Sequence, residues 1–253
     1  IGDPQQDTFL RSSAKPFQII PFIEQGYARD LGLLPRQIAQ ICASHGGTDM
    51  HAEAVRGIQA KIGVDESFLQ CGSHLPLDKE SSETLIRRGE QPTPIRHNCS
   101  GKHTGMLAFA KARGLPLDNY LEPAHPIQQD ILKTFSEMCQ ISIDKIGIGT
   151  DGCSAPNFSI PLYNTALGFA RLCDPQELPE KRADACKTIT SSMMAHPEMV
   201  SGFGRFDTRL MQVGRGKLVA KTGAEGYQAV GILPDLTEAS PKGVGIALKI
   251  SDG

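Results

Sequence analysis

Ser12 and Lys15 head the segment Arg11-Ser12-Ser13-Ala14-Lys15-Pro16-Phe17-Gln18-Ile19-Ile20-Pro21-Phe22-Ile23, in which a polar start gives way to a nearly all-apolar run. Residues three apart on a helix share one face, so the hydroxyl and the amine stand within reach of each other. Pro16 is tolerated only in a first helical turn, where its missing N–H would be unpaired anyway, so Ser12 lies close to the helix start. The apolar continuation predicts a buried helix and a lysine partly out of water. Desolvation lowers a lysine pKa, and a neutral amine beside a hydroxyl can accept its proton and leave a nucleophile. The same spacing also recurs by chance, so the pair needs a second element.

Lys221-Thr222-Gly223 supplies it. It follows the strand-like Lys217-Leu218-Val219-Ala220 and precedes a second strand-like run, Tyr227-Gln228-Ala229-Val230-Gly231-Ile232-Leu233. Where a Ser-x-x-Lys helix does acyl chemistry, a Lys-Thr-Gly strand typically walls the site from the opposite side.

The stretch His97-Asn98-Cys99-Ser100-Gly101-Lys102-His103-Thr104-Gly105 opens a helix running from Met106 to Arg113. Cys99 then sits at a helix N-terminus with Lys102 one turn on. Dipole and amine both favour the thiolate. The alternative is a small buried residue packing a turn. Further on, a short strand from Ile146 empties into Thr150-Asp151-Gly152-Cys153-Ser154-Ala155-Pro156. Loops at strand ends are where sites tend to be built. Asp151 can equally be a turn residue and Cys153 a core filler. Ala43-Ser44-His45-Gly46-Gly47 is a small-residue loop where backbone can approach a ligand closely.

The elements that must hold these groups are mostly helical. Helices are expected from the start region to Gly26, over Leu34 to Cys42, from a Thr48 cap to Gly63, over Ser82 to Arg88, Pro126 to Cys139, Pro161 to Cys173, Pro179 to His196 and Phe206 to Val213. Strands gather toward the end, finishing with Val244 to Ile250. That order reads as α+β, or as a mixed sheet flanked by helices, in a single domain over residues 1–253. Gly2-Asp3-Pro4 reads as a turn leaving a strand, and the final strand stops at Ser251-Asp252-Gly253 with no partner beyond. Further segments are therefore expected on both sides.

The chain of 253 residues carries 26 basic and 28 acidic residues for a net charge of −2, without long runs of either sign. That balance favours no nucleic-acid or membrane surface. No apolar stretch is long enough to span a bilayer. Seven cysteines, an odd number without disulfide-scaffold density, favour a reducing, cytoplasmic setting. The seven histidines show no His-Glu-x-x-His spacing, no two cysteines make Cys-x-x-Cys, and neither a phosphate loop nor a Gly-x-Ser-x-Gly elbow is present.

Taken together, RSSAKPFQ, HNCSGKHTGML, GTDGCSAPNF, KTGAEG and GIALKISDG resemble the rhizobial-type (class 3) L-asparaginase family, in order over almost the whole chain. The resemblance implies a serine β-lactamase/glutaminase-like fold and hydrolysis of L-asparagine to L-aspartate and ammonia. It implies that Ser12 and Lys15 form one catalytic pair, beside Arg11, and that Ser44 and Lys221 form a second. It implies that Cys99, Lys102 and Cys153 hold a zinc ion close to the pocket and that Asp151 contacts the substrate. Sequence chemistry alone offers the two thiolates and His103 as ligands. Members carry a strand pair before the GDP turn and residues after the terminal DG, which are absent here. A homodimer acting on a small molecule is expected.

Two rivals stand beside this reading. A glutaminase or penicillin-recognising enzyme would carry a Ser-x-Asn element between the two motifs, where this chain has Cys99-Ser100-Gly101-Lys102. A catalytically silent zinc-binding or redox module would rest on Cys99 and Cys153 alone.

Overall fold

The computed structural model describes residues 1–235 and 241–252. Strand β1 (Asp7–Phe9) leads into one turn of 3-10 helix, Arg11–Ala14, which passes directly into α1 (Lys15–Gln18). Next come α2 (Ile20–Glu24) and α3 (Tyr27–Asp30). The single helix expected up to Gly26 is thus a series of short ones. Pro16 and Pro21 each fall in the first turn of their own helix, because proline cannot donate to a preceding turn. Gly26 does punctuate the run, at a left-handed φ of 85° between α2 and α3.

The middle of the chain follows its apolar periodicity closely. It forms α4 (Pro35–Ile41), α5 (Asp49–Ile62), α6 (Lys79–Arg87), α7 (Ser100–Ala112) and α8 (Pro126–Cys139). Thr48 occupies the cap position of α5, yet its hydroxyl bonds His51 Nδ1 at 2.7 Å instead of a backbone N–H. Two strands follow, β2 (Gly147–Thr150) and β3 (Pro156–Pro161), then α9 (Leu162–Cys173), α10 (Glu180–Ala195), α11 (Pro197–Val200) and α12 (Phe206–Gly214). The last elements are β4 (Leu218–Gly223), β5 (Tyr227–Ile232) and β6 (Val244–Lys249). Gly253, which ends the terminal turn, lies outside the described residues.

Strands are not confined to the end. One antiparallel sheet has the order β1-β3-β2, with Thr8 opposite Ile160 and Ile148 opposite Phe158. The other has the order β4-β5-β6, with Lys221 opposite Ala229 and Val230 opposite Ile246. Small antiparallel sheets among many helices make an α+β protein. Helix α9 lies so close on the second sheet that a Cβ at Gly245 would come within 1.7 Å of the Ala166 carbonyl oxygen.

Two packing features aim the site. Phe17 on α1 meets the edges of Phe135 from α8 and Phe169 from α9, with ring centroids 5.8 and 5.1 Å away. Such aromatic pairs contribute about 0.5–1.5 kcal/mol each beyond their burial, so α1 is pinned and Lys15 with it. Helix α7 presses on the end of α4, where a Cβ at Gly101 would come within 2.1 Å of the Gln40 carbonyl oxygen. Only glycine permits that approach, which brings Cys99 and Lys102 up to the Ala43–Ser44 loop. Among the described residues, no helix is long and apolar enough to cross a membrane.

Candidate active site

The 3-10 turn is fixed from both sheets. Arg11 has a left-handed φ of 52°, unusual for a residue with a long side chain. The bend is held by the Arg11 N–H donating to Asn157 Oδ1 on β3 at 3.0 Å. On the other side, the Ser13 hydroxyl donates to the Lys221 carbonyl of β4 at 2.7 Å. Ser12 stands between these anchors, half-buried, and its hydroxyl makes no hydrogen bond to any described residue.

Lys15 is 1% exposed. Its amine donates to the Ala43 carbonyl at 2.6 Å, to Ser44 Oγ at 2.8 Å and to Cys99 Sγ at 3.2 Å. The hydroxyl bonded to Lys15 is therefore that of Ser44, not Ser12. An amine withdrawn from water needs acceptors for its protons, and the Ala43–Ser44 loop supplies two at once.

Lys221 enters from β4, fully buried. Its amine donates to the Thr222 carbonyl at 2.8 Å and lies 3.8 Å from Asp207 Oδ2. Burial lowers its pKa to about 8, against the pull of Asp207 and with the help of the Lys15 charge. The expected Ser44–Lys221 pair is not hydrogen-bonded, because Ser44 is engaged by Lys15 and Lys221 by the carbonyl of Thr222.

Below these groups lies a floor of thiols and amines. Cys99 occupies the cap position of α7, as the sequence predicted. Lys102 donates to Cys153 Sγ at 2.9 Å, and Cys153 reaches Asp151 Oδ2 at 3.7 Å. Interaction with the neighbouring Cys153 thiol holds the Cys99 thiol well below its usual range, with Lys15 and Lys102 adding to the effect against burial. Cys153 moves up, through its interaction with Cys99 and through burial. Burial works to lower the pKa of Lys102, but the charges on Cys153 and Cys99 outweigh it and the net shift is upward.

His103 completes the floor. Its Nδ1 bonds the Tyr120 hydroxyl at 2.7 Å, and its buried Nε2 has no hydrogen-bond partner. Burial lowers its pKa to about 4, so the ring is neutral at pH 7. Among the described residues, no three His, Cys, Asp or Glu side chains converge as metal ligands. A metal site here needs the Lys102 amine beside the two sulfurs.

The mouth is polar and half-open. Arg11 Nε donates to Asp151 Oδ1 at 2.7 Å, and Arg11 Nη1 pairs with Glu225 in the β4–β5 turn. Desolvation raises the Asp151 pKa, yet Lys102 and Arg11 overcome it and hold the carboxyl below its usual range.

Hydrogen bonds thus join Arg11, Asp151, Cys153 and Lys102 in one set and Lys15, Ser44 and Cys99 in another, and the electrostatic influence of Cys153 and Lys102 on Cys99 links the two. Sequence reasoning missed Asp207 and Glu225. Glu225 lies two residues past the Lys-Thr-Gly motif, and that proximity was the only signal for it. A family model described as L-asparaginase II matches residues 1–253. A search of curated proteins gives no match. The chain belongs to the L-asparaginase II family and is an enzyme, an asparaginase-type amidohydrolase, whose family implies L-asparagine as substrate.

Proposed function

Starting from membership in that family, we propose that the chain hydrolyses L-asparagine to L-aspartate and ammonia through Ser12 as nucleophile, on a serine β-lactamase-like arrangement of its elements. The observation that carries this reading is the meeting of a Ser-x-x-Lys turn with a Lys-Thr-Gly strand, joined by the Ser13 hydroxyl and the Lys221 carbonyl. Among the described residues, Ser12 is the one hydroxyl at that seam left without a partner, and Lys15 stands one turn on.

In the proposed sequence, Lys15 takes the Ser12 proton directly or through Ser44, to which it is hydrogen-bonded. Ser12 attacks the side-chain amide carbonyl, and backbone N–H groups at the helix head and along the Lys221 strand hold the developing oxyanion. Lys221, with a pKa near neutrality, passes a proton to the leaving ammonia. Water then hydrolyses the acyl-enzyme. Arg11 receives the substrate α-carboxylate and Asp151 the α-amino group, replacing part of the ion pair they make with each other.

The floor fits a zinc ion in its donor chemistry: two sulfurs and an amine meet there, beside an imidazole nitrogen left without a partner. Cys99, Lys102 and Cys153 would hold the ion, with His103 behind them. When bound, zinc would supply positive charge that orients or polarises the substrate amide.

The test is ammonia release from L-asparagine by purified Ser12→Ala protein that retains its fold. Loss of activity supports Ser12. Near-native turnover would overturn it in favour of Ser44 or of a water acting without a serine.

A further inference from the structure

Asp207 has no part in the sequence of steps above, yet its carboxylate is 1% exposed. A buried charge is costly unless paired and hydrogen-bonded. Both its oxygens are engaged: Oδ2 accepts the Thr222 N–H at 2.8 Å, while Oδ1 accepts the Thr222 hydroxyl at 2.7 Å and the Gln228 amide at 3.2 Å. Its charge is balanced by Lys221, 3.8 Å away. Asp207 lies in the first turn of α12, where the helix dipole also favours an anion.

Three buried lysines, Lys15, Lys102 and Lys221, share one site. Lys102 is balanced by two thiols and by Asp151. Around Lys221 stand Asp207 from α12, Lys15 from α1, Cys99 at the cap of α7 and Arg205 at the cap of α12. Cys42, at the end of α4, also feels Lys221, but burial pushes its pKa to about 12 and it stays a neutral thiol. Of these groups, only Asp207 brings a carboxylate; Arg205 is a cation, and Lys15 becomes one once it has taken the Ser12 proton.

We propose that Asp207 is a positioning residue for the amide hydrolysis, holding Lys221 in place as the cation that donates to the leaving ammonia. The proposal rests on the serine–lysine reading above. Asp207 acts through Lys221 and through Thr222, not on the substrate. Removing its charge leaves the Cys99 sulfur alone to offset Arg205 and Lys15, and the amine then gives up its proton at lower pH. Since Lys221 must be protonated to donate, the alkaline limb of kcat moves down in pH.

The experiment is the pH profile of kcat and KM for L-asparagine in Asp207→Asn, beside the unaltered enzyme and Lys221→Met. The expected result is an alkaline limb lowered by about one pH unit, a tenfold fall in kcat above the limb, near-native kcat well below it, and KM within about twofold. An unmoved limb, or a loss of the same size at every pH, would overturn the proposal, since a purely structural role predicts the latter. Should the Asn variant fail to fold, Thr222→Val replaces it. This removes the hydroxyl that fixes the carboxylate and leaves the charges unchanged. A smaller shift in the same direction is expected, and an unmoved limb counts against the proposal. Native turnover by Lys221→Met would instead defeat the underlying reading, which keeps the two failures distinct.

Discussion

Lys102 on the floor and Lys221 on the strand wall are equally cut off from water, yet their pKa values move in opposite directions. On the floor, the anionic sulfurs and Asp151 outweigh burial, so Lys102 stays cationic until something displaces its proton. At the wall, burial outweighs a carboxylate 3.8 Å away and cations crowd the amine, so Lys221 titrates near pH 8. Burial sets the stakes and the neighbours decide the outcome. One region holds its charge, and the other can give up its proton near pH 8.

That contrast can be broken most severely at the residues between the two regions. Ser12→Ala and Lys15→Met are each expected to lower kcat for ammonia release by about three powers of ten or more. Circular dichroism and the thermal midpoint would check that both variants still fold. If either turns over normally, wall and floor are not parts of one catalytic site.

The floor can be tested by the zinc proposed for it. Zinc must displace the Lys102 proton, held more firmly than usual, and leave both sulfurs deprotonated. Affinity is therefore expected to rise at least tenfold per pH unit near neutrality, measured by titration calorimetry on chelator-stripped protein. Elemental analysis should find zinc in the unaltered enzyme and far less in Cys99→Ser and Cys153→Ser. Equal zinc in all three would leave the floor a set of paired side chains with no metal role.

Substrate length probes the reach from mouth to wall. Glutamine has one more methylene, which would displace its amide if Arg11 and Asp151 grip the α-groups as proposed. A shift of about 1 Å can cost on the order of a hundredfold, so kcat/KM for glutamine should fall by about that factor. Comparable values for the two amides would favour a glutaminase.

The smallest effect is on stability and lies outside both regions. His45 and His51 stack with ring centroids 4.9 Å apart, and burial depresses both pKa values below 6.5. The unfolded chain then binds more protons than the folded one just below pH 6.5. Stability is complete above that value and declines as the pH falls through it, at a rate approaching 1.4 kcal/mol per pH unit per histidine. Urea unfolding at pH 7.5 and 5.5 should show the loss. A flat response would mean that the stacked pair accepts protons while folded, and likewise His97 and His103, whose pKa values burial also lowers.

Much of the site was legible because its residues lie in short local motifs. Cys99 could be placed at a helix N-terminus because its stretch opens the helical run from Met106 to Arg113, and α8 (Pro126–Cys139) was recoverable with both ends from its apolar period. What escaped is tertiary. Strand β3 is buried on nearly every residue, so it shows no alternation, and prolines at both its ends disguised it as loop. Strand β1 has three residues, too few for any pattern. Asp207 reads as an ordinary first-turn acid of α12, and only the return of Thr222 against it reveals a buried ion pair. The bond between Lys15 and Ser44 joins a helix to a loop 29 residues on, and no spacing rule reaches that far.

The hydrogen bond from Ser13 to the Lys221 carbonyl spans 208 residues. Contacts so distant in sequence close late, because the loop entropy must be met before the contact rewards it. On the ribosome, the nascent chain can form its helical head early, yet the pocket lacks one wall until the β4–β5 hairpin has emerged and docked. During refolding, helical signal should return ahead of turnover. A partly folded chain would expose the Cys99 thiol, buried in the finished protein, before any substrate can be processed, so its greatest chemical vulnerability falls before it becomes an enzyme.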